Sequence, residues 1–209
     1  MEETNNELNI KESDTIEQDK VILNRSWSFW ENYENRNKGY NYMIEEIYSF
    51  DNIIAFWQFW NQYPGNDTKS VFFDGECIKY FFKEKYRISA INLFVKGIRP
   101  EWEDENNKDG NTLILEYTIK EYNETFYSLI TEKWLKLMLG LIGETIPYSK
   151  KINGIRFVDK SKIAKNNNKI IIFRFEIWVG KSMADKEIEE LKDKLFTEFG
   201  CKATIKPMK

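Results

Sequence analysis

The chain has 209 residues, a formal net charge of −3, 42% hydrophobic and 16% aromatic residues, two cysteines and no histidine. That length suits one globular unit, and the missing histidine removes serine–histidine and cysteine–histidine catalysis, His-ligated zinc and an imidazole switch near neutral pH. Cys77 and Cys201 supply neither a disulfide framework nor a four-sulfur metal site, which points to a reducing, cytoplasmic or nuclear setting. The sequence shows no signal-peptide pattern and no apolar run of about 18 residues, so no membrane contact is expected.

Residues 1–24 hold seven acids against Lys11 and Lys20, and residues 1–20 are expected to be a disordered acidic tail before a domain spanning 21–209. Ser26 to Trp30 reads as an aromatic strand, 35–39 as a turn and Tyr40 to Tyr48 as strand. Asp51 is a candidate N-cap for a helix carrying Ile53, Ile54, Trp57 and Trp60, which Pro64-Gly65 stops. Asp74-Gly75 between two Phe-rich runs predicts a hairpin from Val71 to Phe82. Ile88–Phe94 and Thr112–Ile119 read as strands framing the loop GIRPEWEDENNKDG. A loop residue normally faces water, so Trp102 needs cover from the fold, a partner or a stacked ligand. The acceptor-only carboxylate of Glu103 beside it suits a flat cation that donates hydrogen bonds.

Ser128 is a candidate cap for a helix whose Trp134, Leu135, Met138, Leu139, Leu141 and Ile142 cover more than one face. Gly154–Val158 and Ile170–Val179 read as strands, the second alternating Ile171, Phe173, Phe175, Ile177 and Val179 on one side. A capping box at Ser182 and Asp185 opens a last helix ending at Gly200, and 202–206 forms a closing strand. There is neither a long βαβ alternation nor a glycine-rich phosphate loop.

Several stretches together resemble the mRNA cap-binding translation initiation factor 4E family. They are Trp27-Ser28-Phe29-Trp30, Phe50-Asp51 with Phe56-Trp57, Gly97 through Lys108, Trp134-Leu135 through Glu144, and Asn168-Lys169-Ile170. The resemblance implies an α+β fold, a strongly curved antiparallel sheet of about eight strands with three helices on its convex face. It implies no enzymatic activity and no cofactor, but a monomeric binding module for 7-methylguanosine-capped mRNA. Trp102 and a second aromatic at Tyr40 would sandwich the methylated base and Glu103 would accept from its donor edge, while Phe173 would wall the methyl group, with Tyr42 and Trp178 as substitutes. Lys160, Lys162 and Lys169 would hold the phosphates, and Thr112 stands where the family often places Arg. Val21, Ile22, Leu23, Ile53, Trp57, Leu135, Lys136 and Leu139 would receive a helix from a scaffold factor 4G-like protein or a repressor binding protein. Two other readings stay open. One is a divergent member with weak or no cap affinity that represses translation or sequesters partners; the other is an enzyme using Asp104 and Glu105, against which the missing nucleophile-and-base pair counts.

Overall fold

The computed structural model describes residues 21–35, 42–80, 85–120, 123–163 and 169–208. In chain order the described elements are β1 (Ile22–Asn35), β2 (Tyr42–Asn52), α1 (Ile53–Gln62), α2 (Thr68–Phe72), β3 (Phe73–Asp74), β4 (Cys77–Ile78), β5 (Tyr86–Val95) and β6 (Asn111–Ile119). They continue with α3 (Glu124–Ile142), β7 (Ile152–Asp159), β8 (Lys162–Ile163), β9 (Lys169–Val179), α4 (Asp185–Phe199) and β10 (Thr204–Pro207). The main sheet is antiparallel in the order β10-β6-β9-β7-β5-β1-β2, with β8 added on β9. Register shifts interrupt β1 against both neighbours and β7 against β9. Each extra residue bends its strand and raises the local twist, so the sheet curves.

Period-2 alternation sorts the side chains. On β9, Ile171, Phe173, Phe175 and Ile177 join one core with Phe56 and Trp60 of α1, Val71 and Phe72 of α2, Trp134 and Leu137 of α3, and Leu191 and Leu195 of α4. All four helices therefore cover the same face of the sheet. The opposite, open face carries a separate small cluster of Trp30, Phe94, Trp178 and Met208. Gly154 on β7 pairs with Phe94, and a Cβ there would lie 2.3 Å from the Phe94 ring. Only glycine lets that ring lie flat across the strand.

The α+β class and the curved antiparallel sheet agree with expectation, and α1, α3 and α4 are the three expected helices. Among the described residues the expected hairpin is confined to β3 and β4 around Gly75, whose φ is +59°; its far end at Phe81 and Phe82 lies outside them. Its forerunner Val71-Phe72 is instead the end of α2, opened by the Asp67 carboxylate accepting from Lys69 N at 3.2 Å. Burying both side chains under the sheet prevails over their β propensity. The caps also move. Asn52 Oδ1, not Asp51, accepts from Ala55 N at 2.9 Å, because β2 runs on through Asp51. Asn123 Oδ1, not Ser128, accepts from Phe126 N at 3.2 Å, so α3 begins a turn early and seats Tyr127 in the core. The Ser182–Asp185 box gives way to Glu187, whose carboxylate accepts from Ala184 N at 2.8 Å; Gly200 at φ +67° ends α4 as expected. The tail at 1–20 lies outside the described residues.

Candidate functional site

The loop from Lys96 to Gly110 joins β5 to β6 and is braced from within. Asp104 accepts from Arg99 N and from both the backbone and side-chain amides of Asn106, each at 2.9 Å. Asn107, fully buried, donates its side-chain amide to the carbonyls of Arg99 and Glu101 at 2.8 Å. β7 then clamps the loop from outside. Asn153 is the extra residue of the β7 irregularity, and its amide donates to Asn106 O at 2.6 Å and Asn107 Oδ1 at 3.0 Å. A loop held this way loses little further entropy on binding.

What it displays is Trp102, 55% exposed, with Glu103 beside it, also exposed. Burial of Asp104 raises its pKa, but the donors from Arg99 and Asn106 outweigh that and leave it below the usual 3.8. A depressed carboxylate stabilises the fold above its unfolded pKa, and that contribution is lost as pH falls through the folded value. Loop protection should therefore persist at neutral pH and fail below about pH 3.8. Asp104→Ala should speed hydrogen exchange at the Arg99 and Asn106 amides about five- to tenfold at neutral pH, for a lost bond of about 1 kcal/mol each; unchanged exchange would show that other contacts hold the loop.

Behind the loop, the open face is lined with aromatic rings and paired charges. The Arg99 guanidinium lies 5.5 Å over Trp30. Arg156 on β7 donates from Nε to Asn92 Oδ1 at 3.0 Å and from Nη1 to Glu176 Oε2 at 3.1 Å, and its guanidinium lies 5.2 Å over Trp178. Arg174 pairs with Glu116 at 2.6 Å. Past the end of β7, Lys160 is solvent-exposed at its surface. Crowding by protein atoms lowers its pKa, Arg156 and Arg174 lower it further, and Glu176 opposes them. Mutual repulsion of three cations is relieved by an anion.

Of the sequence-predicted base-contacting residues, Trp102 and Glu103 stand together as expected, and Tyr40 lies outside the described residues. Phe173 is corrected. It is fully buried on the helix face, with ring centroids 5.1 Å from Phe157 and 5.8 Å from Phe72, because its parity on β9 is that of the core. Its substitute Trp178, five residues on, has the other parity and lies on the open face. Lys160 and Lys162 are both exposed; the Lys169 side chain lies outside the described set. Sequence reasoning missed Arg156 and Arg174. The available signal was alternation itself, since each sits between two core residues of a strand and so must face away from the helices.

On the helix face, Val21 O accepts from Ile53 N at 3.1 Å, which brings Val21 and Ile22, both largely exposed, to the start of α1, while Leu23 packs on the core. Trp57 meets Phe56 edge-on at 5.1 Å and remains partly exposed, as do Leu135 and Leu139 on α3. The Lys136 ammonium is directed to α4, 3.6 Å from Glu198 and 5.5 Å from the Phe199 ring.

The family model described as eukaryotic initiation factor 4E matches residues 22–206. The chain belongs to the eukaryotic initiation factor 4E family. It is similar to the factor 4E of Candida albicans, 31% identical over 65% of this chain and 57% of that protein, and to factor 4E1 of Drosophila melanogaster, 29% identical over 84% of this chain and 56% of that one. It thus spans just over half the length of these relatives of the 4E family. Among solved structures, C. elegans eIF4E-3 in complex with the 4E-binding protein Mextli has a TM-score of 0.63 at 19% identity, covering 87% of each chain. Ascaris suum eIF4E-3 with an m7G cap has a TM-score of 0.63 at 17% identity, covering 91% of this chain and 92% of that one. At these identities the likeness establishes the 4E fold. Among the described residues, this 4E family member has no helix long and apolar enough to cross a membrane.

Proposed function

We propose that the chain is a non-enzymatic module that binds the 7-methylguanosine cap of mRNA and docks a scaffold or repressor helix on its opposite face. The observation that carries this is Trp102, more than half exposed beside an exposed carboxylate on a braced loop. N7-methylation makes the purine a cation, so an aromatic face gains cation–π attraction of about 0.5–2 kcal/mol beyond stacking of about 1–3 kcal/mol. Glu103 accepts from the base's N1–H and exocyclic amine, and Tyr40 closes the sandwich. Arg156 stands three residues along β7 from the Asn153 clamp, about 10 Å in an extended strand; Lys160 lies four residues further. Arg156 therefore takes the first phosphates, and Lys160, Lys162 and Lys169 the outer ones. The basal Trp57 surface, with Val21, Ile22, Leu23, Ile53, Leu135, Lys136 and Leu139, offers an aromatic anchor to an amphipathic helix.

Titration of tryptophan fluorescence with 7-methyl-GTP and with GTP tests this reading. Quenching should saturate with the methylated nucleotide at a concentration at least about tenfold lower; equal affinities would overturn it. Thr112, which is buried and uncharged, and the withdrawal of Phe173 favour a second reading, a member that acts through protein partners alone. Tight binding of a helical partner peptide without any response to 7-methyl-GTP would select it.

A further inference from the structure

Between β1, β5 and the roof formed by residues 63–79 lies a cavity of about 250 Å³, on the helix face and apart from the open face. Val71, Ile88, Tyr33 and Tyr63 give it apolar and aromatic walls, and Glu31 lines it as well. Glu31 is only 7% exposed. The Tyr63 hydroxyl donates to its Oε1 at 2.5 Å, and the Tyr33 hydroxyl donates to Oε2. Burial, then the Glu31 charge, hold both phenols above their usual pKa, so they stay neutral donors. Among the described residues no cation forms an ion pair with Glu31; Lys79, also on the wall, donates to Ser70 O at 2.9 Å.

A buried carboxylate normally has a cation against it, because neutral donors do not cancel its charge. The two phenols occupy two of its roughly four acceptor positions. Pro64, Val71 and Ile88 line it with apolar surface, Ser70 and Lys79 complete the wall, and the two tyrosine rings add faces that attract a cation. The volume is below that of sites for drug-sized ligands, so a nucleotide does not fit and a compact molecule does. We propose that this cavity binds a small organic ammonium ion, its charged head on Glu31 and its apolar body against Tyr33, Tyr63, Val71 and Ile88. This site is independent of the cap reading, since its walls contribute nothing to the open face.

The probe pair is benzylammonium and its neutral isostere benzyl alcohol, titrated into the full chain while the ring resonances of Tyr33 and Tyr63 are followed. Benzylammonium should give saturable shifts at a concentration at least about tenfold lower than benzyl alcohol. Glu31→Gln should erase the preference, and Val71→Phe, which fills the space and leaves the carboxylate in place, should abolish both responses. Tyr33→Phe removes one neutral donor from Glu31 and should tighten the ammonium ion alone. Absence of saturable shifts in the unsubstituted chain, an unchanged preference in Glu31→Gln, or retained binding in Val71→Phe would each overturn the proposal. If Glu31→Gln fails to fold, the Val71→Phe and Tyr33→Phe results decide it.

Discussion

Replacing Trp102 by alanine should weaken 7-methyl-GTP binding and sharply reduce the preference for 7-methylated over unmethylated guanine nucleotides while leaving thermal stability unchanged. The ring is 55% exposed and belongs to neither buried cluster, so its removal opens no cavity. The loop that carries it is held by Asp104, Asn107 and Asn153, none of which uses the indole. On the proposed cap reading, the substitution removes one face of the sandwich, worth about 1.5–5 kcal/mol from stacking and cation–π attraction together. That corresponds to roughly a ten- to several-thousandfold weaker complex. Undiminished selectivity in Trp102→Ala would remove the basis of the cap reading.

Phe173→Ala should do the reverse. Its ring touches those of Phe72, Phe73, Phe126, Tyr127 and Phe157, all with centroids between 5.1 and 6.2 Å. Truncating a fully buried Phe costs about 3–5 kcal/mol, which in a domain of this size lowers the melting temperature by roughly 6–20 °C. Nucleotide selectivity of the folded fraction should be unaffected. A variant that melts normally but no longer distinguishes the methylated base would return Phe173 to the binding site.

That contrast shows where the sequence was legible and where it was not. Alternation on β9 marked Phe173 as a core residue, and the same count placed Arg174, Glu176 and Trp178 on the opposite side; aligning a family motif by position overrode that parity and moved an apolar wall to the wrong face. The exposure of Trp102 followed from turn chemistry alone, since Gly97, Pro100 and Asn106-Asn107 exclude a strand or helix there. The brace was less visible. Asn153 reaches the loop because one residue of β7 bulges out of register with β9, and a bulge is set by partner strands far apart in sequence. Helix ends shifted for a related reason, because Asp51 and Ser128 satisfy local capping rules while the ladder of β2 and the burial of Tyr127 extend the neighbouring elements past them.

The bulged Asn153 has a mechanical corollary. It fastens the Trp102 loop to the same strand that bears Arg156, so the spacing between the aromatic platform and the first guanidinium is set by the pitch of the polypeptide rather than by flexible side chains. β7 thus acts as a ruler. Inserting one residue between Asn153 and Arg156 would swing the guanidinium through to the helix-covered side and turn the fully buried Phe157 out of the core, so the strand cannot be lengthened by a single residue without loss of stability.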